Sequence, residues 1–128
     1  PVHCTASGKI FVAQMSAAQR RRLLSNAPLE PYTPRTLTDP DALEKEVQRV
    51  RKDGYAIDNE EFLPGLLCIA ALVPSGDDGP SNLCIAVQAP VMRLDAAKAK
   101  ALLPALQRAA EALSRIDADA GTTSRAQA

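Results

Sequence analysis

Three cysteines, one histidine and one short acidic cluster are the side chains here whose types could carry chemistry. A thiol nucleophile needs a base beside it. The only histidine is His3, and no spacing rule links it to Cys68. His3 and Cys4 are adjacent potential metal ligands, and a metal sensor would have to add Cys68. There is no CxxC, however, and no Cys/His cluster at zinc spacing, so no metal site is read from the sequence. Cys68 and Cys84 lie in apolar runs, where cysteine acts as a small hydrophobe. Free thiols in a reducing compartment follow from this usage. Asp58, Glu60 and Glu61 gather three carboxyl groups. Asp58 is an acceptor that can hold a ligand hydroxyl or fix a neighbouring loop, whereas Glu60 and Glu61 read as surface charges. Arg20, Arg21 and Arg22 spread around a helical turn and read as a solvated face.

These residues need elements to position them. Ile10, Phe11, Val12 and Met15 follow the small residues Ala6, Ser7 and Gly8, so the Thr5–Met15 stretch reads as a helix with a small-residue first turn. Ser7 reads as its cap. The start of such a helix offers unpaired backbone N–H groups and a partial positive charge, which suit a carboxylate. Ser16 with Gln19 is a capping-box pattern that opens a second helix, with Leu23 and Leu24 facing inward. Pro28, Pro31 and Pro34 mark a loop. Thr38, Asp39, Pro40 and Asp41 announce a third helix, in which Thr38 and Asp41 can form a box. Leu43, Val47 and Val50 make its buried stripe, and Gly54 ends it.

Tyr55–Asp58 reads as a short strand. Leu66–Val73 is continuously apolar between Gly65 and Pro74, as expected of a strand buried on both faces. Ser75–Asn82 is a turn, and Leu83–Val87 is a second apolar strand that pairs with the first as a hairpin. Asp95–Asp117 reads as the last helix, with Leu102, Leu106, Ala109, Leu113 and Ile116 as its stripe. Pro104 inside it predicts a kink, or a start near Leu103. The order implies an α/β (α+β) domain with helices packed on a mostly antiparallel sheet over residues 1–116. Residues 117–128 form a small, polar tail expected to fray. Three strands are few for four helices, so the sheet is expected to be incomplete.

Composition narrows the function. With 15 basic and 15 acidic residues among 128, net charge is zero, which argues against a free-standing nucleic-acid binder. A hydrophobic share of 46% argues against disorder, and an aromatic share of 3% against a base-stacking surface. No apolar run approaches the roughly 18 residues of a membrane span, and no secretory pattern opens the chain. Because the first residue is Pro1, the chain is expected to be processed, truncated or a fragment.

Pro1-Val2-His3-Cys4-Thr5-Ala6-Ser7-Gly8-Lys9 resembles the TAxGK segment of the IclR family of bacterial transcription regulators. Thr38-Asp39-Pro40-Asp41-Ala42-Leu43, then Val50 through Glu61, then Leu63-Pro64-Gly65-Leu66-Leu67-Cys68-Ile69-Ala70-Ala71, are similar to that family's central signature in order and spacing. The resemblance covers about residues 1–115. It implies the later part of a GAF-like effector-binding domain, with the winged helix-turn-helix DNA-binding domain and the first strands of the effector domain absent. The edge left open would need a partner, a cover or charges.

The resemblance also implies a non-enzymatic, cytoplasmic, homo-oligomeric regulator. It would sense a small organic acid, touch DNA only through the absent domain, and use no membrane and no cofactor. A dimerisation module with no ligand of its own is the alternative. The implied pocket lies between the sheet and the start of the TAxGK helix, with Ala6, Ser7, Gly8, Asp58, Cys68, Ala86 and Gln88 as its ligand-binding residues. Where the family often has Ser-x-Ser-Gly-Pro, this chain has Ala86-Val87-Gln88-Ala89-Pro90. The loss of both hydroxyls implies an altered ligand, such as a larger or more apolar carboxylate.

Overall fold

Local signals at the helix ends set the frame. The computed structural model describes residues 1–76 and 79–126, and the side chains of 1–76 and 79–116. Helix α1 (Ala6–Ala13) is capped by Thr5 rather than Ser7: Gly8 N donates to Thr5 Oγ1 at 3.1 Å. Helix α2 (Ala17–Ser25) opens with the expected capping box, Gln19 N donating to Ser16 Oγ and Ser16 N to Gln19 Oε1. Helix α3 (Pro40–Asp53) begins one residue later than a Thr38 cap would place it. Asp39 accepts from the Asp41 and Ala42 N–H groups, and Pro40 occupies the first turn, where no N–H is needed. It stops at Gly54, whose φ of +77° is the left-handed conformation favoured at a helix end.

Strands β1 (Tyr55–Asn59), β2 (Leu66–Leu72) and β3 (Cys84–Pro90) form one antiparallel sheet in the order β1-β2-β3. Side chains alternate across a strand, so β2 serves two cores. Cys68, Ala70 and Leu72 face α1 and α3, where Ala6, Ile10, Ala13, Leu43, Val47 and Val50 are buried. Leu67, Ile69 and Ala71 face α4 (Ala96–Ala126), with Leu94, Ala99 and Leu106. The fold is therefore helices on both faces of a three-stranded sheet. Burying Leu67 and Ile69 completely is worth roughly 1.5–3 kcal/mol each.

Three details depart from the sequence reading. Strand β3 runs on to Pro90, which sits at its end, where a missing N–H does no harm to the ladder. Helix α4 passes unbroken through Pro104 instead of starting near Leu103; Pro104 and Lys100 are exposed, so water can reach the carbonyl that proline leaves unpaired. Arg20 is buried, not solvated, while Arg21 and Arg22 remain exposed. It donates to both oxygens of Glu44 at 3.1 and 2.6 Å and to the Met15 carbonyl at 2.6 Å.

The α4 backbone continues past Asp117 to Ala126. The side chains of 117–126, and residues 127–128 altogether, lie outside the described residues, and with them the expected fraying of 117–128. Among the described residues no strand pairs with the outer edge of β3, whose Ala86, Val87 and Gln88 are exposed. No helix among the described residues is long and apolar enough to cross a membrane.

Candidate ligand site

Antiparallel register places Asp58 on β1 opposite Cys68 on β2, and Cys68 opposite Gln88 on β3. The three side chains thus form one rung on the sheet face that packs against α1. A cavity of about 200 Å³ lies between this rung and the first turn of α1. Thr5, Ala6 and Ser7 line it from the helix; Phe62, Leu63 and Leu66 close it with apolar surface. Five of the seven residues expected at a ligand site therefore meet around one space.

Gly8 and Ala86 do not line it. Gly8 is buried one residue further along α1, where a Cβ would come within 2.6 Å of Val2 Cα and 2.5 Å of Thr5 Oγ1. Its role is close backbone approach. Ala86 pairs with Ala70, two residue pairs along the sheet from Cys68 and Gln88, and is exposed.

The two polar walls are complementary. Gly8 N is taken by Thr5 Oγ1 and Lys9 N by the Thr5 carbonyl. Among the described residues no acceptor meets the Ala6 and Ser7 N–H groups, so the positive end of α1 opens toward the cavity. Facing it is Asp58, only 8% exposed. Its Oδ1 accepts from Glu61 N at 2.8 Å and Phe62 N at 3.3 Å, and no donor among the described residues meets Oδ2. Burial pushes the Asp58 carboxyl above its usual range, against the two N–H groups and the Lys9 charge, which pull it down. Burial, with Asp58 and Cys84 adding to it, pushes the Cys68 thiol up to about 11. Such a thiol is a pocket wall rather than a nucleophile.

The acidic cluster is not surface decoration. Glu60 has φ of +58°, and its side chain accepts from Gly65 N at 2.8 Å and pairs with Arg35 at 3.2 Å, so it braces the 59–65 loop. Thr33 and Thr36 donate to the Glu60 and Glu61 carbonyls, each at 2.6 Å. Glu61 is buried and pairs with Lys9, a residue the sequence reading passed over; Lys9 is 1% exposed. Lys9 Nζ donates to Glu61 Oε2 at 2.9 Å and to the Ile57 carbonyl at 3.0 Å. Glu61 Oε1 is 2.7 Å from Nζ without hydrogen-bond geometry, an ion-pair contact only.

His3 Nε2 meets the Glu30 carbonyl at 2.9 Å, and Cys4 is fully buried. Among the described residues no group of three or more His, Cys, Asp or Glu side chains could hold a metal ion. A larger cavity, about 290 Å³, lies at the other end of α1, lined by Ile10, Ala13, Val50 and Leu72 with Gln14 and the exposed Arg51. The Gln14 amide is already spent: its Nε2 donates to the Ser81 carbonyl and Ser81 N donates to its Oε1. The smaller cavity is the one with unsatisfied polar groups on two opposing walls.

Comparison with known proteins shows the family of the chain. The family model described as the bacterial transcriptional regulator IclR C-terminal domain matches residues 1–115. A probable transcriptional regulator, SauR of Cupriavidus necator, is 35% identical over 113 residues, which is 87% of this chain and 44% of that protein. The HTH-type regulator BhcR of Paracoccus denitrificans is 39% identical over 114 residues, 88% of this chain and 40% of that one. The chain thus spans about two-fifths of the length of these curated relatives. Among solved structures, the C-terminal domain of Escherichia coli KdgR superposes with a TM-score of 0.79 at 30% identity, covering 90% of this chain and 70% of that one. The inducer-binding domain of PobR from Acinetobacter, a double mutant in complex with 3-hydroxybenzoic acid, gives a TM-score of 0.84 over 89% of this chain and 65% of that one. At 23% identity it speaks for the fold alone.

Proposed function

Because this chain belongs to the IclR family of bacterial transcriptional regulators and corresponds to its C-terminal domain, we propose that it senses a small organic acid in the cavity between α1 and the Asp58–Cys68–Gln88 rung. The observation that carries the reading is the pair of opposed, unsatisfied polar groups. The free Ala6 and Ser7 N–H groups suit a carboxylate, and Asp58 Oδ2, which meets no donor among the described residues, suits a ligand hydroxyl, or donates to the ligand when protonated. At about 200 Å³ the space is smaller than the roughly 300–1,000 Å³ of a drug-sized ligand's pocket, and Phe62, Leu63 and Leu66 favour an apolar body on that acid.

The role is binding, not catalysis: the one thiol in the cavity is poorly ionised at neutral pH. In a cytoplasmic regulator the signal would pass to a DNA-reading domain outside this chain. That requires different ligand affinities in the two subunit arrangements of a homo-oligomer. Self-association without a ligand is a second reading. It is favoured by the outer edge of β3, unpaired among the described residues, and by the exposed Leu102, Leu113 and Ile116 along α4.

Thermal melting of the chain with 2-oxobutyrate, lactate and 3-hydroxybenzoate separates the two. A ligand at 100 times its Kd adds about 2.7 kcal/mol. One of these acids should raise a cooperative melt by several degrees, and bind at least tenfold more weakly to Asp58→Asn, which keeps the Oδ1 acceptor for the loop. A melt unmoved by all three, from a chain that self-associates, would favour the second reading.

A further inference from the structure

Lys9 is the most completely buried charged side chain among the described residues, and it does not line the cavity. We propose that Lys9 is a positioning residue for ligand binding: through its ammonium group it ties the 59–65 loop and the end of β1 to the first turn of α1, and so fixes the distance between the two polar walls. This rests on the ligand reading of that cavity.

The geometry is specific. The ammonium has three donors. It meets the Ile57 carbonyl, the Glu61 carboxylate, and Glu46 Oε1 of α3 at 3.6 Å. Ile57 is the residue before Asp58. Glu61 is the residue before Phe62, and its own N–H caps Asp58 Oδ1. Lys9 itself stands two residues after Ser7. Two of the three partners, Ile57 and Glu61, are thus one residue away from a cavity wall, while Glu46 joins the ammonium to α3. Thr33, Arg35 and Thr36 also anchor the loop, but from the segment before α3 and not from α1.

Burying an ammonium this completely is expensive unless it is paired. A Leu or Met at this point of the helix would pack with no such requirement. An apolar residue, however, would hold the loop with non-directional contacts, whereas the ammonium donates to Ile57 and Glu61 and forms a longer ion pair with Glu46. The charge also matters at the site: burial raises the carboxyls of Asp58 and Glu61, and Lys9 is a cation that opposes that rise at both.

The test uses the chain with the neutral pair Lys9→Met/Glu61→Gln, which leaves neither charge unpartnered, and with Val47→Ala, which loosens the same core without touching a charge or the cavity. Amide exchange is read at Glu61 and Phe62, whose N–H groups bond Asp58. Affinity is read with whichever of 2-oxobutyrate, lactate or 3-hydroxybenzoate raises the melt of the unsubstituted chain. The neutral pair should exchange at least tenfold faster at these two amides and bind at least tenfold more weakly. Val47→Ala should melt lower yet bind within twofold of the parent. Exchange and affinity within twofold of the parent in the neutral pair would overturn the proposal, as would an equal loss of affinity in Val47→Ala. If the neutral pair loses its cooperative melt, Glu61→Gln alone decides: at least threefold faster exchange at Phe62 supports the tie, and unchanged exchange refutes it. If none of the three acids binds the parent, the ligand reading fails, while the exchange arm still decides whether Lys9 holds the loop.

Discussion

Gly8→Ala sets helix propensity against packing, and the structure says which wins. In an exposed helix interior this change stabilises by about 1 kcal/mol, because glycine has more backbone freedom to lose. At residue 8 the new Cβ would lie 2.5 Å from Thr5 Oγ1, 2.6 Å from Val2 Cα and 2.9 Å from the Val2 carbonyl oxygen. Two of these are backbone atoms, which cannot rotate away. Overpacking of this kind costs about 1–3 kcal/mol. Pushing Thr5 aside also forfeits the cap on Gly8 N, about 1 kcal/mol more. After subtracting the propensity gain, the net loss is about 1–3 kcal/mol, or roughly 4–12 °C in Tm for a chain of this length. Urea unfolding measures it as a lower midpoint at unchanged slope. Thr5→Ala/Gly8→Ala should lose less than the sum of the single variants, since one clash is gone. A Gly8→Ala midpoint equal to or above that of the parent would refute the reasoning and show that the segment before α1 gives way freely.

Cys68 should react with iodoacetamide at pH 8 about two orders of magnitude more slowly than an unperturbed thiol, because its pKa is raised from 9.0 to about 11; a rate near that of a free thiol would put Cys68 outside the buried rung. Arg20→Met should destabilise by about 2 kcal/mol in urea unfolding, since it removes charge-assisted bonds to Glu44 and the Met15 carbonyl, whereas Arg21→Met should stay within about 0.5 kcal/mol; equal effects would contradict the burial of Arg20. Asp58 has its folded pKa raised by burial, so its contribution to wild-type stability falls as pH rises from 3.8 through the folded value. Asp58→Asn lacks that loss, so its stability relative to the parent should climb with pH across this window and stay flat below it; a constant or shrinking difference in urea midpoints would count against a buried carboxyl there.

Which parts of this were legible in the sequence depends on the range of the interactions. The capping box at Ser16 and Gln19 involves atoms three residues apart and could be read directly. The start of α3 was less sharp, because both Thr38 and Asp39 are cap residues and only Pro40 distinguishes them. The rung of Asp58, Cys68 and Gln88 depends on strand register, which the turns set: Glu60 at φ +58° and Gly65 at φ +79° fix how β1 folds back on β2. The continuously apolar run of β2 hides which of its residues share a face, so periodicity could not place Cys68. Its place, and that of Asp58, came from the resemblance to the IclR family.

Arg20 and Lys9 show that a buried charge can be found where its partner cannot. Arg20 precedes Leu23 and Leu24 by three and four residues, so all three fall on one face of α2, while Arg21 and Arg22 turn away from it. Ala6, Lys9, Ile10 and Ala13 follow the same i, i+3, i+4, i+7 pattern, and in the structure all four are buried. A cation on an apolar stripe must meet an acid, since a buried ammonium without one would not stay charged. The sequence thus demands a carboxylate opposite residue 9. That it is Glu61, 52 residues on, follows only when α1 packs across the end of β1. The same packing brings Ser7 over Asp58. The helix start and the acidic loop therefore have to be read as one unit, with the ion pair that joins them as its inner wall and the cavity as its outer one.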